Sequence, residues 1–408
     1  MSDAGRAGRR AGGRALAAGL AGMQGWLAAS IAYLLALLSA GARSGTARDA
    51  PRPDPPLRLA VLIPAHDEEA GVADAVHALI AQEYPGDRLA VIVIADNCTD
   101  DTAGEAARAG ATVWSREDLT ARGKGPALSW ALERLQRDLP APDAVIVVDA
   151  DCIASANLCA AVAAELSDPG VQAVQGRYDV SNPDASPTAA LRAAGFILRH
   201  VIRARGRARL GLSCGLFGSG MAFRMSVFDV VRWPASVTED TELHLMLVQH
   251  GIVVRFAERA GVRSPMPTTA TAAVEQQMRW ESGNAHLTGA YLMRLVTRGL
   301  ATGDAQLLAA GGELLVPSQS MIAAGSLGLG AVSAALGRRR TAVLAAATLF
   351  GQAVYVIGGL TAAGAPTASL RALAHAPAFV AARLSVLGRV ASGRRAQTWV
   401  RTTRERQS

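Results

Sequence analysis

Lysine is almost absent from this 408-residue sequence: one lysine, Lys124, stands among 41 basic residues. It lies between Gly123 and Gly125, and glycine lets a backbone approach a ligand closely. A compact ammonium group suits a phosphate or a sugar hydroxyl, so we predict that Lys124 contacts a ligand. A surface-loop lysine without function is the alternative.

Aromatic residues are also scarce, at 4%, although the net charge is +7. No stripe of arginines interleaved with aromatics is present, so the composition argues against a nucleic-acid partner. The strongest basic cluster is a C-terminal tail, with arginines at positions 383, 389, 394, 395, 401, 404 and 406. Beside a membrane helix, such a tail predicts attraction to anionic lipid. A solvated basic tail is the alternative interpretation.

The four cysteines, Cys98, Cys152, Cys159 and Cys214, have neither the spacing of a metal site nor that of a small disulfide framework. Cys98 and Cys152 adjoin acidic motifs that should face an active site. Reduced cysteines fit a cytosolic domain.

Long apolar runs are present, and 50% of the residues are hydrophobic. The uncharged run 16–42 would be about 40 Å long as a helix, enough to cross a hydrocarbon core of about 30 Å. We predict two further membrane helices at 314–336 and 341–360, and hence a multi-pass protein of the cell (inner) membrane. A cleaved secretory signal is the alternative for the first run, which is longer than the usual apolar core of a signal.

Orientation is not decided by charge, because arginines flank both ends of the first run. If the central domain is cytosolic and the second helix crosses outward, Arg338, Arg339 and Arg340 face outside, against the positive-inside rule. Either the 314–336 segment is re-entrant or the rule fails here.

Between residues 58 and 261, short apolar runs alternate with helical patterns, which predicts an α/β fold with a mostly parallel sheet. A linker rich in proline and charge precedes it at 48–58. The predicted strands are 57–63, 89–95, 144–148 and 171–175, and the predicted helices are 68–82, 102–109, 126–137 and 155–166. Ligands of such sheets gather at the carboxyl ends of the strands.

Acidic residues follow three of these predicted strands: Asp67 follows the first, Asp96 the second and Asp149 the third. Asp149 and Asp151 are two residues apart, so both carboxylates can face one side and share a divalent cation, Mg²⁺ or Mn²⁺. A plain Asx turn is the alternative. Asp67 and Glu68 follow the first strand where a dinucleotide-binding fold would need glycines, which argues against that fold.

Seven motifs in order give the chain a resemblance to family 2 glycosyltransferases with the GT-A fold, over roughly residues 57–299. The motifs are Pro64-Ala65-His66-Asp67-Glu68-Glu69, Asp96-Asn97-Cys98-Thr99-Asp100-Asp101, Gly123-Lys124-Gly125, Asp149-Ala150-Asp151, Gly218-Ser219-Gly220, Thr238-Glu239-Asp240 and Gln276-x-x-Arg279-Trp280. The chain resembles more closely the membrane-bound branch of cellulose, chitin and hyaluronan synthases. Asp67 and Gln277 depart from residues common in that branch, which leaves substrate identity open.

The resemblance implies roles for these residues. Asp96 would contact the nucleoside of a nucleoside-diphosphate sugar, Asp149 and Asp151 would bind the metal, and Asp240 would be the general base. Further binding residues for the nucleotide sugar would be Ala65, His66, Glu68 and Lys124, and those for the acceptor or diphosphate would be Gly218, Ser219, Glu239, Gln276, Arg279 and Trp280. Helix capping is the alternative for Glu239 and Asp240.

Gln276 and Trp280 are one helical turn apart and share a face. Trp280 can stack on the apolar face of an acceptor sugar, and Arg279 can offer planar donors to a phosphate. Packing at the membrane interface is the alternative for Trp280.

We therefore predict a membrane-bound, metal-dependent inverting glycosyltransferase that extends a polysaccharide. Single transfer to a lipid or glycolipid is the first alternative, and a nucleotide-binding transporter or scaffold is the second. The predicted divisions are a membrane helix and linker at 1–56, a catalytic domain at 57–299, two membrane helices at 300–370 and an interfacial helix with basic tail at 371–408. A homo-oligomer or an export partner is a hypothesis.

Overall fold

The computed structural model describes residues 3–42, 54, 56–137, 142–268, 270–378 and 380–381, with side chains from residue 15 onward except 269–275. The predicted basic tail lies outside the described residues, as does most of the predicted linker at 48–58.

A single mixed sheet organises the described catalytic part, with strand order β3-β2-β1-β4-β7-β6-β8-β5. The strands are β1 (Leu59–Ala65), β2 (Leu89–Asp96), β3 (Thr112–Arg116), β4 (Ala144–Val147), β5 (Ile153–Ala154), β6 (Ala173–Val180), β7 (Met221–Arg224) and β8 (Val254–Ser264). The first four are mutually parallel. The antiparallel β7 then joins β4 to β6, and β5 closes the other edge antiparallel to β8. β6 and β8 pair in parallel and run in the same direction as the first four strands, so the sheet is mostly parallel, as predicted, and only β5 and β7 run the other way.

The sheet is covered by helices on both faces, because successive strand residues point to opposite sides. Leu59, Val61 and Ile63 of β1 belong to the core on one face, while Ala60 and Leu62 belong to the core on the other. All five are nearly inaccessible to solvent. A strand buried on both faces reads as a continuous apolar run, which is why it was recognisable in the sequence.

The helices fall into a group around the sheet and a second group that contains the candidate membrane spans. They are α1 (Asp3–Ala42), α2 (Val72–Ile80), α3 (Thr102–Arg108), α4 (Lys124–Arg137), α5 (Leu158–Leu166), α6 (Pro187–Phe196), α7 (Ala204–Arg209), α8 (Glu239–Gln249), α9 (Ala270–Thr302), α10 (Ala305–Leu314), α11 (Gln319–Ala335), α12 (Arg339–Ala362) and α13 (Thr367–Ala372). A π-helical segment, Ile197–Arg203, joins α6 to α7.

Two described helices are long and apolar enough to cross a membrane, Ala15–Ala42 of α1 and Arg339–Ala362 of α12. They correspond to the predicted spans at 16–42 and 341–360. The predicted span at 314–336 needs a correction at its start, because α10 and α11 meet there at an angle of 66°. Pro317 lies in the break and disfavours helix for the residue before it. The pair is a broken span or a re-entrant loop.

α1, α11 and α12 pack on the continuous helix that α6, the π-helical segment and α7 form. Leu27, Ile31 and Leu34 of α1 share an apolar cluster with Leu198 and Ile202 of the π-helical segment. These contacts place α1, α11 and α12 beside the catalytic part of the chain.

Candidate active site

A cavity of about 1340 Å³ opens at the carboxyl ends of β1, β2 and β4. Ligand pockets commonly measure about 300–1,000 Å³, so this one has room for more than one small molecule. Its lining continues from the sheet edge to α9, the α10–α11 break and α12.

Asp96 ends β2 at one side of the cavity and is 5% exposed. Its Oδ1 accepts a hydrogen bond of 2.6 Å from Nη1 of Arg116, which is its register neighbour on β3. His66 Nδ1 lies 2.7 Å from the Asp96 carbonyl oxygen. This ion pair fixes the orientation of the Asp96 carboxylate at the edge of the cavity.

Asp149 and Asp151 follow β4, and their carboxylate oxygens come within 4.8 Å of each other and of the Cys152 sulfur. Burial raises the pKa of the Cys152 thiol well above its usual value, and the thiol lies 3.6 Å from Asp151 Oδ1 as a donor. Mg²⁺ and Mn²⁺ prefer oxygen ligands to sulfur, so the two carboxylates are the suitable donors here. Carboxylates supplemented by substrate phosphates are the donor set that Mg²⁺ and Mn²⁺ favour, so these residues fit the predicted cation.

Lys124 begins α4 and lies among three acidic groups. Its Nζ is 2.6 Å from Asp149 Oδ1 and 3.4 Å from Glu239 Oε1, and it donates to the Gly218 carbonyl. Burial opposes its charge, but Asp149 and Glu239 outweigh burial and raise the pKa of Lys124. The lysine is therefore a fixed cation at the centre of the site.

Gly125 explains how the lysine reaches that position. A Cβ at residue 125 would lie 2.1 Å from the Pro234 carbonyl oxygen, so only glycine allows α4 to approach the segment before α8 this closely. The Glu239 and Asp240 side chains are at the start of α8, beside Lys124.

Glu239 and Asp240 are acids with weakened acidity. Burial, opposed by Lys124, raises the pKa of Glu239 to about 7. Burial also raises the pKa of Asp240, again against the effect of Lys124. Asp240 Oδ1 accepts a 2.7 Å hydrogen bond from the Thr241 amide, which orients the side chain at the helix start. A positioned carboxylate with a raised pKa is suited to proton transfer.

The string in α9 forms the wall opposite the sheet edge. Gln276 Oε1 accepts a hydrogen bond from Arg192 of α6, and the Arg192 guanidinium lies 5.3 Å from the centroid of the Trp280 ring. Phe196 contacts Trp280 with ring centroids 6.0 Å apart. Arg279 also lines the cavity. Sugar stacking on Trp280 stays a prediction, and it has to use the part of the ring that Arg192 leaves open.

Every predicted site residue except Ser219 lines this cavity. Ser219 is fully buried, and its hydroxyl accepts a 3.1 Å hydrogen bond from the Asp149 amide. It therefore holds the turn that carries Asp149 in place, and its direct contact with substrate stays a prediction. The neighbouring Gly218 has φ of +89°, a conformation that glycine adopts without strain.

Three residues of the site were not predicted from the sequence. Arg116, which orients Asp96, is separated from it by 20 residues and by α3. Arg199 and His200 line the cavity from the π-helical segment, where His200 stacks on Phe217 with centroids 4.3 Å apart. π-helical turns often occur at functional sites, but their sequence signature is weak.

The comparisons with known proteins agree with this geometry. The family model described as "Glycosyltransferase like family 2" matches residues 55–283. The probable glycosyltransferase YdaM of Bacillus subtilis is 27% identical over 246 residues, covering 58% of this chain and 57% of that protein. The β-monoglucosyldiacylglycerol synthase of Synechocystis is 27% identical over 247 residues, covering 59% and 50%. The chain thus spans about half the length of these curated relatives.

A solved structure extends the likeness of fold. The mannosyltransferase PcManGT from Pyrobaculum calidifontis, determined with GDP-Man and Mn²⁺, superposes with a TM-score of 0.56 at 19% identity. The match covers 84% of this chain and 98% of that one. The mixed α/β sheet, with its acids at the strand ends, is the GT-A fold. On the match of more than half its residues to the family model, this chain belongs to the glycosyltransferase like family 2.

Proposed function

We propose that this chain is a multi-pass glycosyltransferase of the cell inner membrane that moves one sugar from a nucleoside diphosphate to a lipid acceptor. The observation that carries the proposal is that Asp96, Lys124, Asp149 and Asp240 line one cavity, and that this cavity continues to the candidate membrane helices. The catalytic domain would comprise residues 57–299 and face the cytosol, in accord with four free cysteines.

The donor would lie along the sheet edge. Asp96, held by Arg116, would bind the nucleobase, with Ala65 and His66 forming the wall beside it. Glu68 lines the same end of the cavity. Lys124 would contact the diphosphate, since its ammonium reaches the turn that carries Asp149.

Asp149 and Asp151 would hold Mg²⁺ or Mn²⁺, which neutralises charge on the departing diphosphate when bound. Asp240 would accept the proton of an acceptor hydroxyl as its oxygen attacks the anomeric carbon. In a protein with one such base and no nucleophilic side chain assigned, a single attack from the face opposite the leaving group inverts that carbon. Gly218, Glu239 and the α9 string would contact the acceptor or diphosphate.

The acceptor distinguishes the two candidate functions. Polysaccharide extension was the first expectation, and the Gln276–Trp280 string in the cavity wall supports it. Transfer to a lipid is favoured by the apolar end of the cavity, which includes Leu315, Met321 and Ile357. One relative is named for the synthesis of a glycolipid. The two or three candidate spans among the described residues are also few for a polymer channel, unless a second copy or an export partner contributes.

The experiment uses the full chain in proteoliposomes with Mn²⁺ and radiolabelled UDP-glucose, UDP-N-acetylglucosamine or GDP-mannose. We expect label in the organic-extractable lipid fraction, loss of transfer in EDTA, and loss of transfer to hydroxyl acceptors in Asp240→Asn. Asp229→Asn, an exposed acid outside the cavity, is the matched control. Label in a high-molecular-mass product would favour polysaccharide extension, and no turnover of any donor by folded protein would refute the enzyme assignment.

A further inference from the structure

The apolar end of the cavity is lined by α1, the α10–α11 break, α11 and α12. Leu315 lies at the α10–α11 break, Met321 lies in the first turn of α11, and Ile357 lies on α12. Trp26 of α1 also lines this end and donates a 3.0 Å hydrogen bond to the Leu315 carbonyl. Since α1 and α12 are the candidate spans, this end of the cavity lies where acyl chains would lie.

Arg199 stands between the apolar end and the catalytic acids. Its side chain is exposed and lines the cavity, and within the described part of the chain it has no hydrogen bond or ion pair. It is close enough to Asp240 for each charge to affect the pKa of the other. Glu281 and Glu313 also act on Arg199 from the other walls.

The next arginine on this face is already engaged. Arg203 pairs with Glu313 at 2.9 Å, with only its buried Nε lacking a partner among the described residues. His200, between them, is neutral at physiological pH because burial lowers its pKa well below the usual value. Arg199 is therefore the cation on this segment that can receive an anion.

We propose that the acceptor is a membrane lipid with a phosphate in its headgroup, bound with the phosphate on Arg199 and the acyl chains along the apolar end. This inference rests on the proposed function and names its acceptor class. A planar guanidinium is suited to phosphate oxygens, and it is more weakly hydrated than an ammonium group. A neutral lipid would bring no anion to Arg199, and a water-soluble phosphate would leave the apolar wall uncovered.

An oxygen of the lipid headgroup forms a bond to the anomeric carbon, while the bond from that carbon to the diphosphate oxygen breaks. The electron pair of the broken bond leaves with the nucleoside diphosphate. If the attacking oxygen is a hydroxyl, its proton passes to Asp240, and if it belongs to an ionised phosphate monoester, no proton is transferred.

The test compares three acceptors in otherwise neutral vesicles containing the full chain: phosphatidylglycerol, a polyisoprenyl monophosphate and diacylglycerol. We expect sugar transfer to at least one phosphate lipid and little transfer to diacylglycerol. Arg199→Gln should raise the KM for that phosphate lipid by about 10- to 100-fold, in line with loss of a charge-assisted hydrogen bond. Arg199→Lys should recover part of the loss. Asp240→Asn should abolish transfer to a hydroxyl but spare transfer to a monophosphate.

Two controls separate this inference from the proposed function. Arg209→Gln changes an exposed arginine of α7 outside the cavity and should leave the lipid KM unchanged. Hydrolysis of the donor in the absence of acceptor reports on the donor site and should be the same in Arg199→Gln. Binding of phosphatidylglycerol with a fluorescent chain gives a readout independent of turnover, and the variant should bind it more weakly.

Preferred transfer to diacylglycerol, or lipid binding and KM that are the same in Arg199→Gln and the parent chain, would overturn the phosphate inference and leave the proposed glycosyltransferase intact. Donor that is neither transferred nor hydrolysed by folded parent protein would instead refute the proposed function.

Discussion

Replacement of Lys124 by methionine removes the cation at the centre of the site and keeps the length of the side chain. At an effective dielectric constant of about 20, the 2.6 Å contact with Asp149 corresponds to an attraction of about 6 kcal/mol, and the 3.4 Å contact with Glu239 to about 5 kcal/mol. Desolvation of the ions offsets most of this. Because the lysine side chain is still 19% exposed, we expect a net loss of unfolding free energy of about 3 kcal/mol at pH 8.

The loss of unfolding free energy in Lys124→Met should increase with pH, because the Glu239 carboxylate needs the lysine only when it is ionised. Its folded-state pKa of about 7 is above its ordinary value of 4.5, and loss of the lysine raises it further. Below pH 7 Glu239 is protonated in both proteins and does not distinguish them. Above pH 7 the variant must keep a proton that the parent releases, and the difference grows by at most about 1.4 kcal/mol per pH unit. We therefore expect a loss of about 1.5 kcal/mol at pH 6. Lys124 itself titrates outside this range.

Thermal unfolding of the full chain in detergent with EDTA, followed by intrinsic fluorescence, measures both values. A loss of 1 kcal/mol lowers Tm by roughly 2–4 °C in a domain of this size, so the expected decreases are about 9 °C at pH 8 and about 4 °C at pH 6. Lys124→Arg keeps the charge and is the matched control, with a smaller decrease that does not change between the two pH values. A methionine variant that melts like the parent at pH 8, or equally destabilised at both pH values, would refute the reasoning.

Three further predictions concern the acids. Asp240→Asn should lower transfer to a hydroxyl acceptor by about 10²- to 10⁴-fold with donor affinity nearly unchanged; weaker donor binding by calorimetry would contradict its role as a base. Asp151→Asn should raise the Mn²⁺ concentration for half-maximal activity by about 10-fold or more, and the same titration with Asp229→Asn should match the parent. Arg116→Met leaves the buried Asp96 without its partner, which should cost about 3–5 kcal/mol of unfolding free energy and raise the donor KM; an unchanged KM would show that Asp96 does not bind the donor.

Some elements of the sheet could be predicted from sequence because their burial is uniform. The predicted strands at 57–63, 89–95, 144–148 and 171–175 coincide with β1, β2, β4 and β6 to within a few residues, and these strands are largely buried. β3 and β8 were not predicted. Exposed or half-exposed polar residues, such as Thr112 in β3 and Arg255 in β8, interrupt their apolar pattern. The two antiparallel strands, β5 and β7, were not predicted either, and they are only two and four residues long.

The acids of the site could be predicted because each follows a recognisable strand or begins a helix. The basic side chains that orient these acids could not be predicted in this way. Arg116 reaches Asp96 only because β2 and β3 pair in one register, in which residues 96 and 116 are neighbours. Nothing local in the sequence distinguishes Arg116 from the other arginines of the chain.

Arg199, near the apolar end of the cavity, could not be predicted from the sequence for the same reason. Its neighbours in sequence, Leu198 and Ile202, predict a helix with one apolar face, and that face does pack on α1 and α12. Whether the arginine on another face meets solvent or a cavity depends on α9 and the α10–α11 break, which are more than 70 residues later. The sequence contains the donor-side chemistry as compact motifs, whereas the acceptor side is assembled from distant helices. The acceptor site could therefore not be predicted from the sequence, and only the structure shows its lining. Substitution of Arg199 tests whether that lining binds a lipid phosphate.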